Sequence, residues 1–343
     1  MNINTHDFNV PTSYLLPVVE ACQKYNIDTG RLLAKNNLST SVLTQKSAKL
    51  DILTYASIIN TGALWTHQDN FGAEVGQRFT IEWARELSYL IARQDKLINI
   101  YPALEYLMDA QKRGIKNRLE VSGEVASHIV DLEFDHLIEC DQLNQLIITY
   151  YHKTFKSLLN DNWKPFRVTL RKNDNADIKS LERYFGCSVI VGSERNAIDF
   201  PRTLLNTNYS YELDTQKDIL SDISKILKSA DFLEDLIKKY IQANLEDGYF
   251  SKEHIARMLC IHPRVLQTLL SDRGLTYRGI LEDVRKNRAM NLLKNTDLSI
   301  TIISGILGYE NSRTFIHAFK NWTKLPPNAW RITFENELCQ SDT

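Results

Sequence analysis

Apolar residues in the first 110 positions recur at intervals of three and four. Val18, Val19, Cys22 and Tyr25 form one such series, and Leu50, Leu53, Tyr55, Ile58 and Ile59 another. That spacing gathers them on one face of a helix, so this stretch is predicted to be helical. Near residue 117 the period drops to two. Leu119 and Val121, then Val130, Leu132 and Phe134, alternate around Gly123, the pattern of a β-hairpin. The helical period returns from 140 to 159, with Leu143, Leu146, Ile147, Tyr150 and Leu158 on one side. A strand at 166–170, a short helix at 178–185 and strands at 188–191 and 197–200 follow. Strands and helices in this order, after a helical opening, predict an α+β domain ending near residue 210.

The next stretch, 211–230, has a different period. Leu213, Leu220 and Leu227 are seven apart, with Ile223 and Ala230 between them and polar Gln216 at a further seam position. This short heptad seam fits a dimerising helix, or an amphipathic linker helix packed on its own domain. Residues 231–247 then form an amphipathic helix with Phe232, Leu233, Leu236, Ile237 and Ile241 inward. Ser251 is a candidate N-cap for a helix that buries Ile255, Ala256 and Leu259. Pro263 opens another, burying Val265 or Leu266 with Leu269 and Leu270, and Gly274 closes it. Two short helices joined by a tight turn make a helix-turn-helix unit, here about 251–271. The arrangement recurs. A long helix over 277–294 leads to a helix over 300–307, capped by Asp297 or Ser299, and a last helix over 313–323, capped by Asn311 or Ser312. Two units bridged by one rigid helix could enter successive major grooves if that bridge sets their reading helices about 34 Å apart.

At roughly 150 residues per domain, the 343 residues make two domains. The 43% hydrophobic and 24% charged content is that of an ordinary globular chain, and excludes a disordered or collagen-like one. No apolar run is long enough for a membrane span, and the first ten residues have neither the basic cluster nor the apolar core of a secretory signal. The five cysteines are far apart without any CxxC, so neither disulfides nor structural zinc are expected, and a reducing cytoplasm is. His128, Asp131, Glu133, Asp135 and His136 resemble a ligand set, but on a strand the two histidines stand about 27 Å apart; a solvated hairpin face is the plainer expectation. With 41 basic against 42 acidic residues the chain looks unsuited to nucleic acid. Divided by segment, however, residues 229–335 are net positive, while those before and after them are net negative. A phosphate-binding face on the C-terminal part is therefore allowed. No GxSxG, Walker A, HExxH or dinucleotide fingerprint occurs, and no enzyme activity or cofactor is expected.

Residues 231–331 resemble the AraC/XylS family of bacterial transcription regulators. The likeness is carried by Arg285, Arg288, Ala289, Leu292, Leu293, Ser299, Ile300, Ile303, Gly308, Phe315, Phe319, Lys320, Pro327 and Arg331. Departures are Cys260 for a turn Gly, His262 for an N-cap Ser, Ser304 for Ala and Lys324 for Gly, which would loosen the first turn most. The resemblance implies double-stranded promoter DNA as partner, with Arg264, Gln267 and Thr268 of the first unit and Ser312, Arg313 and His317 of the second at base-contacting positions. Arg suits guanine and Gln adenine. It also implies contact with RNA polymerase, and activation as the commoner mode. Residues from about 15 to 205 are similar to the arabinose-binding-like N-terminal domain of a subgroup of these regulators, through the tracts 71–79 and 185–201. That similarity implies effector sensing, dimerisation, or both, and the heptad positions Leu213, Leu220, Ile223 and Leu227 are the candidates for a homodimer seam; a pocket for a small apolar or amphipathic molecule suits so aromatic a domain. A regulator without ligand, controlled by a partner protein or by abundance, is the alternative.

Overall fold

The computed structural model describes residues 8–45, 48–80, 91, 94, 96–104, 114–160, 162–209, 233–246, 248, 250–259 and 261–333. The chain divides into two compact units, Met1–Ile219 and Leu220–Thr343. Leu213, Leu220, Ile223 and Leu227, and with them the expected linker helix, lie outside the described residues, as do Phe232 and Cys260.

In the N-terminal unit, α1 (Leu15–Lys24), α2 (Thr29–Lys35) and α3 (Ile52–Thr66) realise the helical spacing of the opening. Asp51 caps α3, its Oδ1 accepting from the backbone N–H of Leu53 and Thr54 at 2.9 and 3.1 Å, which satisfies two of the free donors at a helix start. The stretch is not purely helical, however. β1 (Asn9–Pro11) pairs antiparallel with β2 (Lys49–Asp51), Val10 opposite Leu50. Three-residue strands are too short to show an alternation, so only their pairing across the chain defines them.

A close helix crossing follows. In α4 (Phe71–Gly76), Gly72 and Gly76 lie against the backbone of α5 (Asp141–Leu159): a Cβ on Gly72 would stand 1.8 Å from Gln142 O, and one on Gly76 2.6 Å from Leu146 O. The Gly72 N–H donates to Gln142 Oε1 at 2.7 Å. Glycine is needed here for space rather than for backbone freedom.

α5 covers one face of a five-stranded sheet built from β3 (Ile115–Ser122), β4 (Val125–Leu132), β5 (Arg167–Arg171), β6 (Ser188–Ser193) and β7 (Asn196–Pro201). Their order is β3-β4-β7-β5-β6, antiparallel except for the parallel pair β5–β6. That pair requires a crossover, supplied by α6 (Ile178–Phe185), which stops at Gly186 with φ 70°. Two buried polar residues hold β7 in place. Asp199 Oδ1 accepts from Ser127 Oγ at 2.7 Å while its Oδ2 accepts from Arg167 Nε at 3.0 Å. Asn196 Nδ2 donates to Asn144 Oδ1 at 3.0 Å and its Oδ1 accepts from Arg171 N at 2.9 Å.

Candidate functional site

The C-terminal unit contains α7 (Leu233–Asn244), α8 (Lys252–Met258), α9 (Pro263–Ser271), α10 (Tyr277–Asn295), α11 (Ile300–Ile306) and α12 (Ser312–Thr323), with a further helical stretch at 327–333. Side-chain caps set the starts of α8 to α12. Ser251 Oγ accepts from His254 N, Thr276 Oγ1 from Gly279 N, Ser299 Oγ from Ile302 N and Asn311 Oδ1 from Thr314 N. At α9 the cap is His262, whose Nδ1 accepts from Arg264 N at 3.2 Å. Histidine therefore does the work of the usual serine, and Pro263 follows at the first helical position.

Burial then fixes which sides face out. In α9, Leu266, Leu269 and Leu270 are buried, and Val265, one of two sequence candidates for the core, is exposed. Arg264, Gln267 and Thr268 are exposed and stand at i, i+3 and i+4 on one face. In α12, Phe315 and Phe319 are buried with their rings 5.7 Å apart, while Arg313 and His317 are exposed one turn from each other and Ser312 is half-buried. The side chains of Arg264, Gln267 and Arg313 have no hydrogen bond or ion pair among the described residues. Thr268 Oγ1 donates to Arg264 O at 3.0 Å, and His317 Nδ1 lies 3.3 Å from the Asn321 amide nitrogen. Exposed Ile316, also on α12, escaped the sequence reading because it looks like a core residue.

Two arginines of the signature tract point inward instead. Arg285 Nε donates to Leu307 O at 2.9 Å and Nη2 to Gly308 O at 2.8 Å, capping the end of α11. Its guanidinium lies 4.9 Å from the Phe250 ring centroid and 4.3 Å from that of Tyr309. Tyr277 Oη donates to Phe250 O, so residues preceding α8, in the bridge helix and following α11 meet at one point. Arg331 Nη2 donates to Leu298 O at 2.7 Å, just before α11. These cations set the second helix-turn-helix unit against α10. Lys324 adopts φ 67°, a left-handed cap that glycine would take without strain.

In the N-terminal unit the expected solvated hairpin face is corrected. β4 is an interior strand, and its residues Ala126 to Val130 are all buried. His128 is 0% exposed beneath Tyr101, Tyr151 and Phe155, and burial pushes its pKa down to about 3. The acids near it in sequence are spoken for by cations: Asp131 by Arg118 at 2.8 Å, Glu133 by Lys116 at 2.6 Å, and Asp135 by Arg171. Among the described residues no group of three His, Cys, Asp or Glu could hold a metal ion, and no helix is long and apolar enough to cross a membrane. An open cleft of about 660 Å³ beside α3 and α5 has Asn60, Gln68, Asp69 and Gln142 on its walls. The amides of Asn60 and Gln142 donate to Glu139 O and Asp69 O, so those walls serve the fold.

Paired helix-turn-helix units with open reading faces define a DNA-binding regulator. The model of a helix-turn-helix domain matches residues 255–332, and that of the arabinose-binding N-terminal domain of the AraC transcription regulator matches residues 27–209. The latter spans more than half of the chain, and the protein belongs to the AraC family of transcription regulators. The chain is 37% identical over 91 residues to the HTH-type transcriptional regulator VqsM of Pseudomonas aeruginosa, 26% of this chain and 28% of that one. It is 39% identical over 79 residues to the ornithine utilization regulator of the same organism, 23% of each. The aligned stretches thus span about a quarter of these curated relatives. The crystal structure of the transcriptional regulator CdpR from Pseudomonas aeruginosa aligns with 92% of this chain and 96% of its own, at 20% identity and a TM-score of 0.48.

Proposed function

We propose that this regulator reads promoter DNA with α9 and α12 in successive major grooves, Arg264, Gln267 and Thr268 facing bases in one and Ser312, Arg313 and His317 in the other. The observation that carries this is the pair of exposed stripes whose Arg264, Gln267 and Arg313 side chains have no hydrogen-bond or ion-pair partner among the described residues. Such groups enter a groove without breaking an existing bond, and arginine and glutamine present the paired donors and acceptors that guanine and adenine edges require. Ile316 adds an apolar surface suited to a thymine methyl.

In this reading residues 1–210 sense a small molecule and dimerise, 211–230 form the linking helix, and 231–335 bind DNA. The protein acts in the cytoplasm as an activator that contacts RNA polymerase. An effector shifts the arrangement of two DNA-binding segments only through different affinities for the two arrangements. Operators mapped across the genome supply the test sequence. On it, Arg264→Ala is expected to lose roughly 1–3 kcal/mol and relax the preference at one base position. A site profile identical to that of the wild type refutes the assignment.

A further inference from the structure

The caps that open α8, α10, α11 and α12 are oxygens, from Ser251, Thr276, Ser299 and Asn311, whereas the cap of α9 is the imidazole of His262. The first turn of α9 closes on that one residue. Pro263, at the first helical position, has no N–H to place. The N–H groups of Val265 and Leu266 donate to His262 O at 2.8 and 3.1 Å, and that of Arg264 donates to His262 Nδ1 at 3.2 Å. Arg264 is the second residue of the helix, and its own carbonyl accepts from Thr268 Oγ1 at 3.0 Å. Fraying from the start therefore moves Arg264 first and leaves Gln267, most of a turn further in, on the helix.

The bond to Arg264 N dictates the state of the ring. A backbone N–H only donates, so Nδ1 presents its lone pair, and the imidazole is neutral with its proton on Nε2. An imidazolium has an N–H at both positions and accepts at neither. Taking up a proton therefore removes the cap and sets a positive charge at the positive end of the helix dipole. Imidazoles take up protons between about pH 5 and 8, whereas hydroxyl and carboxamide oxygens do not. The charged and titratable side chains of the two helices that His262 joins are Lys252, Glu253, His254 and Arg257 of α8 and Arg264 of α9, with Asp272 and Arg273 past the far end of α9. His254 Nδ1 faces Arg257 Nη2 at 2.6 Å. Among the described residues no carboxylate lies within ion-pair distance of the His262 ring, so no acid there replaces the lost bond.

We propose that His262 is the positioning residue of the first reading helix: its neutral imidazole holds Arg264 against the base edges, and protonation releases it, so that the first unit alone loses its hold on DNA as pH falls. This rests on the reading of α9 as a helix that enters a groove. In the second unit the corresponding cap is the carboxamide oxygen of Asn311, which accepts from Thr314 N at 3.0 Å and is present at either pH. His317 on α12 titrates as well, but it stands on the exposed face, where a proton adds attraction to phosphate and removes no cap. Serine at position 262, the residue usual in the family, would give the first unit the same indifference to pH.

The experiment footprints the full-length wild type, His262→Asn and His262→Ala on one mapped operator at about pH 7.5 and about pH 5.5, either side of the usual imidazole range. Asparagine keeps an acceptor oxygen that does not titrate, and alanine removes the cap at every pH. On acidification the wild type is expected to lose protection of the first half-site by a factor of roughly 2 to 30, the span of what an N-cap is worth, and to relax its preference at the base that Arg264 reads. His262→Asn is expected to match the wild type at the higher pH and to stay there at the lower. His262→Ala should show the acid pattern of the wild type at both. Comparison of wild type with His262→Asn at the same pH cancels what acid does elsewhere in the chain, at His128 and His152 for example. Imidazole nitrogen NMR at the higher pH should find the His262 proton on Nε2. A proton on Nδ1, or equal pH profiles for wild type and His262→Asn, overturns the proposal and leaves α9 as a reading helix. Protection that strengthens in acid for the wild type and weakens in both variants makes His262 a phosphate contact instead, and overturns it as well. An unprotected first half-site at the higher pH, together with an Arg264→Ala variant that binds as wild type, removes the reading of α9 and the proposal with it.

Discussion

Arg285→Lys separates charge from geometry at the point where the two helix-turn-helix units meet. The guanidinium makes two bonds to the carbonyls of Leu307 and Gly308 and lies between the rings of Phe250 and Tyr309. Lysine keeps the positive charge but has no planar fork. It can reach one of the two carbonyls and cannot stack on both rings. A lost bond from a charged donor is worth about 1.5–3 kcal/mol, and each weakened cation–π pair about 0.5–1 kcal/mol. The group is half-buried, so solvent tempers these sums, and a net cost of about 2–4 kcal/mol is expected. Gly308 leaves little room for adjustment: a Cβ there would already stand 2.6 Å from Phe250. The loss falls on the anchoring of α11 and α12 to α10. Urea unfolding followed by tryptophan fluorescence, which includes Trp322 and Trp330 of this unit, measures the stability term. Footprinting on a mapped operator measures the other: protection by the second unit should weaken before that of the first, with the salt dependence of binding unchanged because the charge is kept. A variant within about 0.5 kcal/mol of wild type, with both half-sites equally protected, refutes the view that Arg285 fixes the second unit.

Three further outcomes can be checked. Gly72→Ala places a methyl 1.8 Å from Gln142 O, so α4 must move off α5; a loss of about 3 kcal/mol or more in the N-terminal unit is expected by circular dichroism melting, and an unchanged midpoint contradicts the close crossing. Burial pushes the pKa of His128 down to about 3 and that of His152, with a smaller effect from Lys156, to about 4. Below about pH 6.5 the unfolded chain takes up protons that the folded one refuses, so stability is complete above that pH and is lost as pH falls, by up to about 1.4 kcal/mol per pH unit for each histidine. A urea midpoint that stays flat from pH 6.5 to 4.5 counts against both burials. Leu220→Glu breaks the heptad seam in the proposed linking helix; if sedimentation shows an unchanged dimer and reporter output still responds normally, the linker has no part in transmission.

The two units were not equally legible in the sequence, for physical reasons that particular residues make plain. In the C-terminal unit, local rules and the tertiary outcome agree. Ser251, Ser299 and Asn311 cap helices from within the chain segments they begin, and Phe315 and Phe319 face inward at helical spacing. Each of these features is decided within a few residues, where periodicity and capping chemistry act. The ambiguity of Val265 against Leu266 arose where adjacent apolar residues flank the boundary of a helix face, and those of the caps where two polar residues stand near a helix start. The N-terminal unit is decided by distant pairing. Val10 finds Leu50, β5 pairs with β6 only through the α6 crossover, and Gly72 meets a backbone seventy positions further on.

His128 shows what periodicity leaves open. Alternation in β4 assigns residues to two faces but does not say that both are covered, and a polar residue at a strand centre then reads as solvent-facing. The strand is interior because β7, formed some seventy residues later, pairs with its free edge, and α5 covers the inner face. The resulting disagreement between local pattern and burial is not confined to one residue. Asn117 falls on the same face and is buried too, as are the equally polar Asn196 and Asp199 of β7. Some of them secure the sheet, as Asp199 does with Ser127 and Arg167, and Asn196 with Asn144 and Arg171. Such residues are placed by the pairing of distant segments, which the alternation within one strand does not encode, so local pattern and tertiary burial part company wherever a strand becomes interior.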